Sequence, residues 1–153
     1  MAVQPIPDGF HSVTPYLIIS GASEAIGWYQ KTFEATEHLR LDGPGGSVAY
    51  AEIRIGNSIV MLADEHPGMG AHGPDHFGGS PTHLMIYVEN VDEVFNRAVA
   101  AGAEVVRPLQ DQFYGDRSGT LKDPFGHQWS IATHIEDLTQ EEVDRRFAEM
   151  MKG

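Results

Sequence analysis

The stretch HSVTPYLIISGASEAIGWYQKTFEA, residues 11–35, changes its hydrophobic period partway along, and that change decides the fold. Over residues 11–20, Val13, Pro15, Leu17 and Ile19 fall on one side while Thr14, Tyr16 and Ile18 fall on the other, the alternation of a strand. Ser20 and Gly21 then offer a helix cap. Ala22, Ile26, Tyr29 and Phe33 follow at spacings of four, three and four, which line up as one apolar stripe on a helix ending near Ala35. Three strand-like runs come next, at 37–42, 48–56 and 58–66, separated by Asp42-Gly43-Pro44-Gly45-Gly46 and by Gly56-Asn57, both turn-forming sequences. The order is β-α-β-β-β.

The same order begins again at THLMIYVENVDEVFNRAVAAG, residues 82–102. Leu84, Ile86 and Val88 alternate with His83, Met85 and Tyr87. Asn90 caps a helix with Asp92 and Glu93 in its first turn, an apolar stripe of Val91, Val94, Phe95 and Ala98, and Gly102 as its stop. Three further strand-like runs, 104–114, 117–122 and 127–135, complete a second β-α-β-β-β unit. Setting Thr14 beside His83 aligns the opening strands, their ends at Ser20 and Glu89, and Ile26 with Phe95 on the helices. The order of elements carries this match rather than the letters.

The reading predicts an α+β chain: an N-terminal arm at 1–10, a first βαβββ module at 11–66, a Gly/His-rich linker at 67–81, a second module at 82–137 and a C-terminal helix at 138–153. In that last helix Thr139 and Glu142 suggest a capping box, and Val143, Phe147, Met150 and Met151 an apolar stripe in need of a docking partner.

Composition removes several functions. A net charge of −12, with ten scattered Lys and Arg, argues against a phosphate-backbone partner and therefore against nucleic acid. No apolar run approaches the ~20 residues of a membrane span, and the N-terminal MAVQPIPDGF lacks the basic and apolar regions of a secretion signal, so the expected setting is cytoplasmic. The chain has no cysteine, which excludes disulfides, thiolate metal sites and thiol nucleophiles.

Thr14-Pro15-Tyr16-Leu17 with Ala25-Ile26-Gly27-Trp28-Tyr29 through Phe33 resembles the opening of the glyoxalase/bleomycin-resistance/dioxygenase superfamily. Tyr114-Gly115-Asp116-Arg117-Ser118-Gly119, followed by Lys122-Asp123-Pro124-Phe125-Gly126-His127-Gln128-Trp129, is similar to the close of its PhnB-like branch. The resemblance spans residues 11 to about 137 and implies a vicinal-oxygen-chelate fold, in which the concave faces of the two sheets enclose a site for a small molecule. It also implies a homodimer. In metal-dependent members, four side chains on the first and fourth strands of both modules hold a divalent ion; carried onto this chain, those positions are Thr14, Met61, His83 and Ser130.

Of these four, only His83 is a good ligand for a catalytic divalent ion, because hydroxyls are poor ligands and a thioether suits softer metals. The expectation is therefore no metal cofactor, which counts against glyoxalase I and extradiol dioxygenase chemistry. The linker's His66, His72 and His76, with Asp64, Glu65 and Asp75, supply suitable ligand types, but Gly73 and Pro74 oppose the helix that would put His72 and His76 on one face; the other reading is a solvated loop.

Without a metal, His83 is either a general base or hydrogen-bond partner for a ligand, or a histidine satisfied by a neighbouring hydroxyl. The ligand-binding candidates are Thr14, Tyr16, Met61, Met85, Tyr87, Gln128, Ser130 and His134, with Ile59 and Ala132 on the same face; such a lining suits a small or aromatic molecule, and equally could fill a core. Asp123 reads as the cap of a β-turn and Trp28 and Trp129 as packing on the helix-covered side, while Arg117 could pair with Asp116 or Asp111 or reach a ligand from the rim. Three functions follow: a metal-independent protein that binds and sequesters an antibiotic or metabolite, a lyase- or isomerase-like enzyme using His83, and a metal-dependent lyase or dioxygenase with ligands displaced to the linker.

Overall fold

The computed structural model describes residues 2–153; Met1, the first residue of the expected arm, lies outside them. The chain divides into two compact units, Met1–Pro81 and Thr82–Gly153.

In the first unit, β1 (Tyr16–Ile19), α1 (Ala22–Phe33), β2 (Thr36–Asp42), β3 (Val48–Ile55) and β4 (Ser58–Asp64) form a sheet ordered β1-β4-β3-β2 with α1 on one face. Strands β1 and β4 run parallel, the other neighbours antiparallel. In the second, β5 (His83–Tyr87), α2 (Val91–Ala100), β6 (Glu104–Asp111), β7 (Asp116–Lys122) and β8 (Gln128–His134) repeat the arrangement as β5-β8-β7-β6, again with one parallel pair, β5 with β8. The repeat extends to register: Tyr16 lies opposite Met61, and the equivalent Met85 lies opposite Ser130.

Each sheet thus has a helix-covered face and a helix-free face. Leu17, Ile19, Ile53 and Leu62 are buried with Ala22, Ile26, Tyr29 and Phe33 of α1; Leu121, Trp129 and Ile131 are buried with Val91, Phe95 and Ala98 of α2. Alternation along each strand sends the intervening residues to the open face. Trp28 is half-buried on α1, edge-on to Tyr29 and Phe33.

Two terminal features depart from expectation. The first strand begins at Tyr16 rather than His11, because Pro15 has no N–H to donate and Thr14 turns its hydroxyl back to the His11 carbonyl (3.3 Å), leaving Val13 exposed. Of the two residues that offered a cap for α1, Gly21 takes the position and Ser20 does not. Gly21 sits at the N-cap in a left-handed conformation (φ 91°), and Asp64 at the end of β4 accepts from the N–H groups of Gly21 (3.1 Å) and Ala22 (2.9 Å), its other oxygen taking Val48 N–H (2.6 Å). By contrast α2 is capped locally, Asn90 accepting from Glu93 N–H (3.1 Å).

The connector is built rather than loose. It contains 3-10 turns at Pro67–Met69 and Pro74–Phe77, each with proline early in the turn, where its missing N–H costs nothing. The last helix, α3 (Gln140–Lys152), is capped by Thr139, but the reciprocal half of the expected capping box is replaced: the Glu142 carboxylate is taken by Arg145 and Arg146. Arg146 also reaches Glu136 and the Phe113 carbonyl, and Phe147 lies against Phe113 with ring centroids 5.6 Å apart. Much of the apolar stripe stays exposed, Met151 by 67%.

Candidate functional site

The helix-free face of the second sheet carries the candidate site. His83, Met85 and Tyr87 project from β5 on this face while Leu84 and Ile86 turn to the helix. The pairing register sets Met85, Ser130, Thr120 and Arg107 in one row across the four strands. Around that row is a cleft of about 280 Å3 lined by His83, Met85, Ser130, Thr120 and Arg107, and bounded by Phe113, Tyr114 and, from α3, Met150. The cleft lies wholly within the second unit.

Two glycines of the Gly115-to-Gly119 motif explain its shape. Gly115 has φ 101°, and a side chain there would strike the Glu136 carbonyl. A methyl on Gly119 would lie 2.5 Å from the Phe95 ring and 3.1 Å from the Arg107 carbonyl, so α2 and β6 close on β7 only because it is glycine. The turn before β8 is fixed by Asp123, only 2% exposed, which accepts from Phe125 N–H (2.9 Å), His127 N–H (3.0 Å) and the Trp129 indole N–H (2.8 Å). This anchors Ser130 one residue beyond Trp129.

At the cleft floor the Thr120 and Ser130 hydroxyls are 2.9 Å apart. Beside it runs a second polar cluster. Asp116 is 4% exposed; it accepts from the Tyr87 hydroxyl (2.7 Å) and pairs with His134 Nδ1 (2.8 Å), and His134 Nε2 meets Asp137 (2.8 Å). The bond to Asp116, with burial, raises the Tyr87 pKa and so holds it as a neutral phenol; the bonds to Asp116 and then Asp137 raise that of His134. Tyr87 and His134 therefore belong to one network beside the cleft, and Gln128 lies at the His83 end of the face. Arg117, expected to pair with Asp116 or Asp111, meets Asp111 (3.1 Å) and adds a two-pronged contact with Asp92 (2.9 and 2.8 Å). Asp92 is drawn below its ordinary pKa by that guanidinium.

On the first module Tyr16 and Met61 share the helix-free face as the alternation predicts, with Glu52 opposite Met61. Sequence reading missed Tyr50 and Glu52. The Tyr50 hydroxyl donates to Glu52 (2.6 Å), His38 stands 3.6 Å from the other carboxylate oxygen, and the Tyr16 and Tyr50 rings are 5.9 Å apart. Burial and the Glu52 carboxylate raise the Tyr50 pKa. The alternation of β3 contained the signal: Tyr50, Glu52 and Arg54 are spaced by two and alternate with apolar residues. Asp116 and His134 are direct cross-strand partners.

The four positions carried over for a divalent ion do not fit one. Thr14 is engaged with the His11 carbonyl, Ser130 with Thr120, and Met61 offers a thioether, leaving His83 as the single strong donor. In the connector, Asp64 caps α1 and Glu65 accepts from Gly73 N–H (2.9 Å). His72 and His76 do come together, contrary to the expectation from Gly73 and Pro74: the 3-10 turn starts at Pro74, and the rings stack at 3.7 Å with 8° between planes. Parallel stacked imidazoles do not aim their lone pairs at a common ion. Among the described residues no group of three or more His, Asp or Glu is placed to hold a metal.

This paired βαβββ architecture is that of a known superfamily, and residues 9–131 match the Glyoxalase/Bleomycin resistance protein/Dioxygenase superfamily; the chain belongs to it. It is 37% identical over 145 residues to an uncharacterized protein of Mycobacterium tuberculosis (strain ATCC 25618 / H37Rv), covering 93% of this chain and 85% of that one. Among solved structures it is similar to TioX from Micromonospora sp. ML1, with 29% identity and a TM-score of 0.65 over 82% of this chain and 99% of that one. A PhnB protein from Bacillus cereus has the same fold, with 21% identity and a TM-score of 0.60 over 80% and 99% of the two chains.

Proposed function

We propose that this chain is a small-molecule-binding member of the superfamily, which sequesters an antibiotic or metabolite on the helix-free face of its second module without a divalent metal. The observation that carries the reading is the cleft of about 280 Å3 beside His83, Met85 and Ser130. Its lining combines apolar walls with a few polar groups, the usual make-up of a ligand site. The superfamily's own description, which includes bleomycin resistance proteins, supports a sequestering role. Protein-observed NMR with a fragment library tests it: shifts gathered on His83, Met85 and Ser130 support the reading, and shifts confined to other surfaces overturn it. Bound-metal analysis of untagged protein tests the other half. Less than about a tenth of an ion per chain is expected, and a stoichiometric ion would restore a metal-dependent reading.

A second reading is an enzyme of lyase or isomerase type with His83 as its base. It is favoured by a solvent-reachable imidazole at the cleft that makes no hydrogen bond among the described residues. Against it, no carboxylate orients that ring, as a general base ordinarily requires. His83→Ala would abolish turnover on this reading and only weaken binding on the first. Both readings take the working form to be a cytoplasmic homodimer, and elution as a monomer at micromolar concentration would reject the dimer. No helix among the described residues is long and apolar enough to cross a membrane.

A further inference from the structure

The charges around the cleft narrow what it can hold. The chain has 22 acidic residues against 10 basic ones, yet among the described residues no carboxylate lines the cleft. Its cation is Arg107. The guanidiniums of Arg40, Arg97, Arg117, Arg145 and Arg146 are all ion-paired within the fold. Arg107 makes no ion pair or side-chain hydrogen bond among the described residues, although it sits in register with Thr120 and in line with Ser130. The Thr120 and Ser130 hydroxyls share one hydrogen bond, so one O–H of the pair remains free to donate outward. Met85, beside Ser130 in the same row, and Phe113 and Met150 supply the apolar part of the lining.

We propose that the ligand of this cleft is a small apolar carboxylic acid, its carboxylate gripped by Arg107 and the Thr120–Ser130 hydroxyls and its body laid against Met85, Phe113 and Met150. The proposal rests on the reading of the cleft as the binding site. A guanidinium presents a planar fork that matches the two oxygens of a carboxylate, and one guanidinium balances one negative charge. A phosphate or phosphonate brings up to two charges and would leave one uncompensated in a chain already at −12. The volume, about 280 Å3, is at the small end of the roughly 300–1,000 Å3 usual for drug-sized ligands, and the two methionines adapt to the shape of the body.

Isothermal titration of the full chain with phenylacetate, 4-methylpentanoate, their amides and benzylphosphonate tests the assignment. At least one acid should bind about tenfold or more tightly than its amide, with the preference falling at high salt. Arg107→Gln should bring the acid's affinity down to near that of its amide. Four results overturn the proposal. Equal binding of acid and amide removes the carboxylate while leaving the cleft as a site, and a preference that survives Arg107→Gln removes Arg107 as its grip. Tighter binding of the phosphonate replaces the monoanion with a dianion. If none of the five probes binds, the carboxylate assignment falls, and the fragment screen then decides separately whether the cleft is a site at all.

Discussion

The two modules share strand order, register and helix placement, and they use the same face differently. In the first, Tyr16, Met61 and Glu52 share a row, and Glu52 is taken by Tyr50 and approached by His38. In the second, the equivalent row is Met85, Ser130, Thr120 and Arg107, where a guanidinium and a hydroxyl proton are left over and His83 stands nearby. The helix-covered faces cannot drift this way, because each side chain there is packed against its module's helix and a volume change is felt at once. The open faces carry no such constraint. The shared scaffold leaves one face of each module free for chemistry, and in the second module that face opens into a cleft that holds Arg107, His83 and the Thr120–Ser130 hydroxyls.

The comparison breaks most readily at the two carboxylates that fix the modules. Asp123, itself buried, holds the turn of the second module with two part-buried backbone N–H groups and the buried Trp129 indole. Asp123→Ala leaves those donors unpaired and should cost on the order of 3 kcal/mol or more. Asp64 does the corresponding work for the first module, but it is half-buried and its bond to Gly21 N–H is exposed, so Asp64→Ala should cost about 2 kcal/mol. Denaturant unfolding of both variants measures the difference. A cost under about 1 kcal/mol for Asp123→Ala would refute the account of the turn.

The helix starts sharpen the contrast at a smaller scale. Asn90→Ala removes a local cap and should cost about 1 kcal/mol. Gly21→Ala should cost a similar amount by another route, the left-handed backbone at φ 91°, and Gly21→Asn should recover much of it because asparagine tolerates that region. If Gly21→Ala is neutral, the distant cap on α1 relaxes the backbone more than its geometry suggests.

What the sequence made legible follows from periodicity. The βαβββ repeat, the stripes on α1 and α2 and the parity of His83, Met85, Tyr87, Ser130 and His134 could all be read because alternation and helical spacing are properties of neighbouring residues. The cap on α1 could not, since Asp64 is 42 residues or more from the N–H groups it meets there. Of the two partners of Arg117, Asp111 was legible in the sequence, whereas Asp92 was not for the same reason, being on α2 rather than along the strand. Arg107, Gln112 and Tyr114 escaped the site list because the β6–β7 hairpin folds them over the cleft, and that placement depends on bulged register shifts in β6 that no alternation announces.

The smallest expected effect concerns the polar cluster beside the cleft, where a histidine meets two carboxylates rather than the one that His38 approaches on the first module. Both ring nitrogens of His134 face carboxylates, Asp116 and Asp137, and this raises its pKa above the ordinary value. A histidine held more tightly when protonated adds stability that is fully present below about pH 6.5, its unfolded value, and that is lost as pH rises through the higher folded value. The stability difference between the wild type and His134→Gln should therefore be largest in mild acid and shrink above neutrality. Asp137→Asn should move the His134 midpoint down, measured by NMR titration of its ring proton. Because the ring is half exposed, water and salt screen the pairing, and the change is one of local tethering between β8 and the segment that leads to α3. A His134 midpoint at or below about 6.5 in the wild type would mean that the two carboxylates do not hold the ring in solution, and Asp116 would then serve Tyr87 alone.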